Sequence, residues 1–424
     1  MADGGGDSPV AAAGAAGVGA RTARRGWLNR TVLGMGLTSL FADMNYEMST
    51  AILPGFLATL GLPAAVLGVT EGIADAVSSF SKLGAGWLSD GLRRRKPLVL
   101  LGYGLTVVSQ AFFAIASGWP LIVLGRVVGW LGRGIRRPAR DAMLAESIAA
   151  ADRGKAFGFH RAGDSLGAVL GPLIGAGVIA LLGRGFGADD TAAFRVLFLL
   201  SLVPGFAAVL AFGFMVGEVP GRPIVRRHLI ESVRKFPIPF RRYLAGVGVF
   251  GAGDFAHALL VLVAAQLLSA AHGVVAAAQI AAVIYALRNA VHTAASFPVG
   301  ALSDRIGRRG LLAGGYLLGA GTMVGFALTA ATGAASVPLL AVLFALAGAY
   351  IAVEEALEAA LTADLVPDRT NRGTAYGVLG TVNGVGDLVS SSVVGALWAI
   401  GPAWGFVYAA ATMTAGAAVS HLRR

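Results

Sequence analysis

The chain has 424 residues, of which 56% are hydrophobic and only 13% are charged, and its net charge is +11. Soluble domains carry about 25% charged residues, so these few charges could not cover the surface of a soluble protein of this size. Together with a mean hydropathy of +0.72 and the lack of Cys, this composition excludes a disordered protein, a disulfide-linked secreted domain and an ordinary cytosolic enzyme. It leaves a polytopic membrane protein.

Twelve mostly apolar stretches are long enough to span a bilayer, which takes about 20 residues per helix. Residues 1–29 precede them, and we expect a disordered cytoplasmic tail there because the sequence is rich in Ala and Gly and has no periodicity. The fold class is therefore an all-α membrane protein. The predicted segments are 31–59, 66–89, 98–117, 120–138, 157–182, 194–216, 243–268, 275–302, 311–332, 336–360, 373–398 and 402–421.

The basic residues predict how these segments are oriented. Alternate connections and the two chain ends hold 27 of the 34 Lys and Arg residues, whereas the other connections hold only Arg184 and Arg195. Cytoplasmic loops are enriched in Lys and Arg, so both termini are predicted to lie on the cytoplasmic side of the inner membrane. Topology accounts for the positive net charge, and nucleic acid is excluded as a partner.

The chain divides into two halves of six segments that resemble each other. The longest charged connection, residues 217–242, separates a bundle over 30–216 from a bundle over 243–424. The motif at 86–95 recurs at 300–309, which is 214 residues later. Such an offset indicates duplication of a six-helix unit, and transporters built from repeats bind their substrates near the midplane between the repeats.

The two loop motifs resemble the signature of the major facilitator superfamily, G-x-x-x-D-[RK]-x-G-[RK]-[RK]. The second copy is complete, and the first copy has Gly91 and Arg93 where Arg and Gly are usual. The resemblance covers residues 30–421 and implies two pseudo-symmetric six-helix bundles around a central cavity. It also implies a gating role for these motifs, with a purely topological anchor as the alternative. The residues assigned to gating here are Gly86, Asp90, Arg94, Gly300, Asp304, Arg305 and Arg308. The two glycines are expected to permit close helix approach.

The fifth segment carries a second motif, in which Gly167, Gly171, Pro172 and Gly175 match the G-x-x-x-G-P-x-x-G pattern of proton-coupled exporters in this superfamily. The match implies a gating role in export, although glycines four residues apart also serve plain helix packing. In the fourth segment, Arg126 stands where the superfamily often carries an Arg that acts in proton coupling.

Ten acidic residues fall within the predicted segments, and each costs roughly 2.5–3.5 kcal/mol at the bilayer centre. We therefore expect them to line a water-filled cavity or to pair with buried bases. A carboxyl group in a partly dry cavity can exchange protons near neutral pH, so these residues are candidates for proton coupling. The ten acids are Asp43, Glu47, Glu71, Asp75, Asp164, Asp254, Glu354, Glu355, Glu358 and Asp387.

Spacing along the helices selects the candidates for substrate binding and proton coupling. Residues four apart share a helix face, and the resemblance places the first, fourth, seventh and tenth segments around the cavity. We expect Glu71, Asp75 and Lys82 to have structural roles in the second segment. For Glu354, a static ion pair with Arg288 is the alternative to a role in proton coupling. The selected residues are Asp43, Asn45, Tyr46, Glu47, Arg126, Asp254, His257, Arg288, His292, Glu354 and Glu358.

The predicted function is secondary active transport of a small molecule by alternating access, in the form of proton-coupled efflux by a monomer in the lipid bilayer. The sequence contains no phosphate loop and no zinc-binding H-E-x-x-H motif, so neither an enzyme nor a cofactor is expected. The alternative is transport of a divalent metal ion or cationic metal complex, since carboxylates with His257 and His292 suit such ions. A non-transporting receptor is disfavoured, because the tail is short and the expected cavity is rich in ionisable groups.

Overall fold

The computed structural model describes residues 28–91, 94–148, 153–182, 191–218, 236–366 and 372–422, and within these ranges the chain forms thirteen α-helices and no β-strand. The first half holds α1 (Arg30–Thr59), α2 (Ala64–Gly91), α3 (Lys96–Ile115), α4 (Trp119–Glu146), α5 (Arg153–Leu182) and α6 (Ala192–Met215). The second half holds α7 (Ile238–Gly251), α8 (Ala258–His272), α9 (Val274–Ile306), α10 (Arg308–Thr332), α11 (Val337–Leu365), α12 (Arg372–Leu397) and α13 (Pro402–Leu422).

Each of the twelve predicted segments coincides with helix in the structure, but the seventh is not continuous. Residues 252–257 interrupt it, so the predicted segment 243–268 is two helices, α7 and α8. Helix α7 also begins at Ile238, inside the predicted connection 217–242. Residues 219–235 of that connection, and the tail up to residue 27, lie outside the described residues.

Two glycines and two serine side chains explain the interruption between α7 and α8. Gly251 and Gly253 each weaken a helix by roughly 1 kcal/mol relative to Ala. Two serines of α12 replace the lost backbone bonds. Ser390 Oγ donates to the carbonyl of Asp254 at 2.7 Å, and Ser391 Oγ accepts from the N–H of Ala256 at 2.9 Å. Both serines are fully buried, so contacts with α12 inside the bundle stabilise the interruption.

Six of the described helices contain a stretch that is long and apolar enough to cross a membrane. These stretches lie in α3, α5, α6, α9, α10 and α11. Acidic and basic side chains point toward the inside of the bundle from α1, α2 and α4, and also from α5, α9 and α11.

Local sequence signals set several of the helix ends. Asn29 caps α1 by accepting from the N–H of Val32 at 3.0 Å, and α3, α4 and α11 have Pro in their first turn. A single residue, Gly307, joins α9 to α10 at φ +95°, a conformation that favours glycine. Gly307 belongs to the complete loop motif, so that glycine serves the tight turn between the two helices.

The two halves share an apolar core at one end of the bundle and have separate cores at the other. The shared core includes Phe56 and Phe194 from the first half and Leu260 and Phe344 from the second. A Cβ placed on Gly55 of α1 would lie 2.8 Å from the Cβ of Ala278 of α9, so the halves touch closely there. At the end where α1 begins and α13 ends, one core belongs to the first half alone and another to the second half alone.

Candidate functional site

A cavity of about 560 Å³ lies between the two halves. All ten acids that fall within the predicted segments line it, together with eight Lys and Arg residues. Exposure rises from Glu71 and Arg126, each 2% exposed, to Arg161 and Glu355, whose side chains are 59% and 51% exposed. The cavity therefore opens toward the end of the bundle where α1 begins and α13 ends. The eight basic residues are Lys82, Arg126, Arg133, Arg136, Arg137, Arg140, Arg161 and Arg288.

Arg126 forms a buried ion pair at the closed end of the cavity. Its Nε lies 2.7 Å from Glu71 Oε1, and its Nη1 donates to Thr50 Oγ1 at 3.1 Å. The guanidinium also lies 4.9 Å from the ring centre of Tyr46. Arg126 thus ties α4 to α1 and α2. Glu71, assigned above to helix structure, is its partner within the cavity.

The cavity face of α1 presents Asp43, Tyr46 and Glu47. Asp43 Oδ1 lies 3.7 Å from Arg133 Nη2, and the same guanidinium lies 4.2 Å from the Tyr46 ring centre and 4.8 Å from that of Trp130. Glu47 Oε2 is buried and has no hydrogen-bond partner among the described residues. Asp43 is thus paired with Arg133, whereas Glu47 has no base within 4 Å in the described part of the chain.

Asn45 does not share this face, so its expected place in the cavity is wrong. Two residues turn an α-helix by about 200°, which puts Asn45 opposite Asp43 and Glu47. Its Oδ1 points to α6, 3.1 Å from where a Cβ on Gly205 would lie, and the residue is 1% exposed. The polar segment of α1 therefore divides between the cavity and a packed interface with α6.

The acids of the second half are held by neutral side chains. Asp254 Oδ1 accepts from Tyr350 at 3.0 Å. Glu358 accepts from Tyr316 at 2.6 Å and from Asn383 at 2.8 Å. Glu354 Oε2 is buried without a partner. Among the described residues, neither these three acids nor Asp387 has a basic group within 4 Å, so four carboxyl groups lie close to one another without a counter-ion. The set is Asp254, Glu354, Glu358 and Asp387.

The two predicted histidines and Arg288 line the same cavity but do not form one cluster of contacts. His257 lies at the start of α8, after the interruption, and so does not share a helix face with Asp254 as the continuous segment would require. His292 Nε2 lies 3.3 Å from Glu355, which also contacts Arg161 of the first half at 3.6 Å. Arg288 makes no ion pair with Glu354; its Nη1 donates to Asn289 Oδ1 at 2.9 Å.

The glycine motif of α5 packs directly on the part of α1 that carries the cavity acids. A Cβ on Gly167 would lie 2.9 Å from the backbone nitrogen of Met44 and 3.1 Å from Asp43 Cβ. A Cβ on Gly171 would lie 2.9 Å from Glu47 Cβ. Pro172 follows inside the same helix. The motif therefore sets the spacing between α5 and the acidic face of α1.

The loop motifs form salt bridges within each half. Arg95 contacts Glu146 at the end of α4 at 2.8 Å, and Arg308 contacts Asp364 at the end of α11 at 2.8 Å. Each pair joins the loop motif to the end of the helix that closes the same part of its half, although at the 214-residue offset Arg308 corresponds to Arg94 and not to Arg95. Gly300 has no atom within 4 Å of its Cβ position, so the expected close helix approach there is wrong. Arg94 and Arg305 are exposed, and the side-chain surroundings of Gly86, Asp90 and Asp304 lie outside what the structure describes.

Sequence reasoning missed Glu71, Trp130 and Arg133 as site residues. Glu71 and Asp75 are four residues apart on α2, the same signal that selected Asp43 and Glu47. Arg133 was not among the residues selected by spacing. Spacing shows which residues share a helix face, but it does not show which neighbouring helix that face meets.

Comparisons with known proteins agree with this architecture. The chain matches the Major Facilitator Superfamily over residues 35–255 and again over 243–423. The chain belongs to the Major Facilitator Superfamily. An MFS-type transporter of Methanocaldococcus jannaschii is 29% identical over 381 residues, which is 90% of this chain and 92% of the relative. The quinolone resistance protein NorA of Staphylococcus aureus is 31% identical over 125 residues, 29% of this chain and 32% of NorA.

The fold also matches a solved transporter. The structure of a bacterial homologue of the human lysosomal transporter Spinster, in an inward-facing and occupied conformation, superposes with a TM-score of 0.72. The sequences are 18% identical, and the match covers 92% of this chain and 95% of that chain. The predicted all-α superfamily fold is confirmed, and so is the conclusion that this member is a multi-pass membrane transporter and not an enzyme.

The metal alternative finds no site in the described part of the chain. No group of three or more His, Asp or Glu side chains is arranged there to hold a metal ion. His257 and His292 therefore give no support to a divalent cation as the substrate.

Proposed function

We propose that this transporter moves a small molecule out of the cell in exchange for protons, by alternating access. The observation that carries the proposal is the cavity, where ten carboxyl groups converge and six have no base within 4 Å among the described residues. Charged groups in the bilayer are costly and mark ion and proton pathways. Acids without a counter-ion can gain and lose protons more readily than acids in tight ion pairs. The six are Glu47, Asp75, Asp254, Glu354, Glu358 and Asp387.

The arrangement of the apolar cores supports alternating access. A shared core closes the cavity at one end, and two separate cores leave the other end open. The salt bridge between Arg161 and Glu355 is a contact between the halves near the open end. The salt bridges of Arg95 with Glu146 and of Arg308 with Asp364 then keep each half rigid as it moves. One chain encloses the whole cavity, which supports a monomer as the working unit.

The distribution of basic residues supports insertion in the cytoplasmic membrane with both termini on the cytoplasmic side. In that orientation the cavity opens to the cytoplasm, where an exporter collects its substrate. The export direction is further supported by the α5 motif, which packs on Asp43 and Glu47 of α1. The partial similarity to a quinolone resistance protein points the same way.

Flux measurements in proteoliposomes test the proposal. Ligand binding raises apparent stability, so a thermal-shift screen of a compound panel identifies a substrate. That compound is expected to accumulate faster when a pH gradient is imposed, because proton exchange drives its transport. The double variant Glu47→Gln/Asp254→Asn, which neutralises one acid without a counter-ion in each half, is expected to lose the dependence on the gradient. Glu218→Gln is the control, because Glu218 lies outside the cavity and accepts from the backbone N–H groups of Arg95 and Lys96. Transport that ignores the gradient, or that is unchanged in the double variant, would contradict proton coupling.

A further inference from the structure

Arg288 is a buried cation that has no counter-ion. The residue is 4% exposed, and no carboxylate lies within 4 Å of it among the described residues. Its Nη1 donates to Asn289 Oδ1 at 2.9 Å, and Asn289 Nδ2 donates to the carbonyl of Ala168 of α5 at 2.9 Å. The Nε and Nη2 groups are buried without a partner. By contrast Arg126, equally buried, has Glu71 beside it.

The two free groups of Arg288 define the shape of the missing partner. The Nε–H and the outer Nη2–H lie along the same edge of the guanidinium plane, and together they form a fork that matches the two oxygens of a carboxylate. Asn289 holds the remaining Nη1 and so fixes the orientation of this edge. A buried guanidinium keeps its charge, and leaving it unpaired is costly. A ligand carboxylate would satisfy both free donors at once.

The start of α8 offers further donors in the same cavity. His257 is the N-cap residue of α8 and makes no side-chain cap. The backbone N–H groups of His257 and Ala258 have no acceptor among the described residues, and both residues line the cavity with Arg288. The first N–H groups of a helix carry partial positive charge and attract anions. The interruption of the seventh segment thus places a helix N-terminus inside the membrane, at the substrate cavity.

We propose that the transported molecule is an organic monocarboxylate, bound with its carboxylate on the Nε and Nη2 groups of Arg288 at the N-terminus of α8. Tyr46, Trp130, Phe255 and Tyr285 also line the cavity, so the rest of the molecule is a flat, apolar or aromatic body. The neighbouring acids without counter-ions disfavour a second negative charge on the ligand. This assignment rests on the proposed transport function, since it names the substrate class of the same cavity.

Equilibrium binding to the purified full-length protein in nanodiscs tests the assignment with three probes. We expect 2-naphthoate to bind at least tenfold more tightly than 2-naphthamide, its neutral counterpart, and more tightly than 2-naphthyl phosphate. Equal binding of the amide and the carboxylate would overturn the proposal, as would stronger binding of the phosphate. No pH gradient is involved, so a proton-driven exporter of cations would pass the flux test and fail this one.

Variants at the two donor groups locate the bound carboxylate. Arg288→Lys keeps the charge but loses the fork, and it is expected to weaken 2-naphthoate binding at least tenfold while 2-naphthamide binding changes little. Arg195→Lys is the control, because Arg195 donates to the carbonyls of Ala114 and Ala116 outside the cavity. An Arg288→Lys protein with undiminished 2-naphthoate binding would overturn the proposal.

A carboxylate supplied by the protein itself gives an independent check that does not depend on removing Arg288. His257→Asp places a negative charge at the start of α8, where the ligand is proposed to lie, and His257→Asn places a neutral side chain of the same size there. We expect the Asp variant to bind 2-naphthoate at least tenfold more weakly than the Asn variant and to unfold at a higher temperature. Equal affinities in the two variants would contradict the assignment.

Discussion

Gly167→Ala is expected to destabilise the protein, whereas Gly177→Ala on the same helix is expected to leave it equally or slightly more stable. Both changes add one methyl group to α5. Gly167 faces α1 at the cavity acids, and Gly177 has no atom within 4 Å of its Cβ position. The pair therefore separates the effect of close helix packing from the effect of removing a glycine.

The magnitudes follow from the surroundings of each added methyl group. Replacing Gly by Ala inside a helix stabilises it by about 1 kcal/mol, and this gain applies to both positions. At position 167 the new Cβ would lie 2.9 Å from the Met44 nitrogen and 3.1 Å from Asp43 Cβ, and it would also press on the carbonyl of Leu40. Such overpacking costs about 1–3 kcal/mol. The two variants should therefore differ in unfolding free energy by about 1–3 kcal/mol.

Unfolding of the purified protein in detergent, followed with both variants side by side, measures this difference. Gly167→Ala should also slow transport, because a displaced α1 carries Asp43 and Glu47 away from their places at the cavity. Equal stability of the two variants would refute the reasoning, since it would mean that α1 and α5 have room for a methyl group between them.

Three further outcomes are expected. Arg126→Gln and Glu71→Gln should each lower the unfolding free energy by about 3–5 kcal/mol, because each leaves a buried charge unpaired; in a double-mutant cycle, losses that simply add would contradict a direct pair. Ser390→Ala and Ser391→Ala should each cost about 1–3 kcal/mol, because buried backbone groups at 252–257 lose their partners, and hydrogen exchange there should speed up. Arg308→Gln should change stability by about 1 kcal/mol or less, because its ion pair is partly exposed, and added salt should shrink that effect.

Much of the fold could be predicted from the sequence because the bilayer imposes strict rules. Length and hydropathy located the twelve segments, and the cost of charge in lipid predicted that acids such as Asp43 and Asp254 would face a cavity. The interruption at 252–257 could not be predicted in the same way. Its glycines are common in membrane helices, and the serines that replace the lost bonds lie more than 130 residues away in the chain.

The candidate site was predictable only as a set of helix faces. Four-residue spacing found Asp43 with Glu47 and Glu354 with Glu358, but a one-dimensional pattern contains no information on contacts between helices. That is why Glu71 was not recognised as the partner of Arg126. Asn45 shows the opposite error: proximity in sequence suggested a shared stripe, although two residues on a helix point to opposite sides.

The apolar core shared by the two halves also has a thermal consequence. Any conformation that opens the cavity at that end must separate Phe56, Phe194 and their neighbours from the second half and expose apolar surface to water. Exposure of apolar surface raises heat capacity, and the hydrophobic driving force weakens on cooling. The balance between the two states of the transporter should therefore follow a curved temperature dependence, and the state that opens at the shared-core end should gain population in the cold.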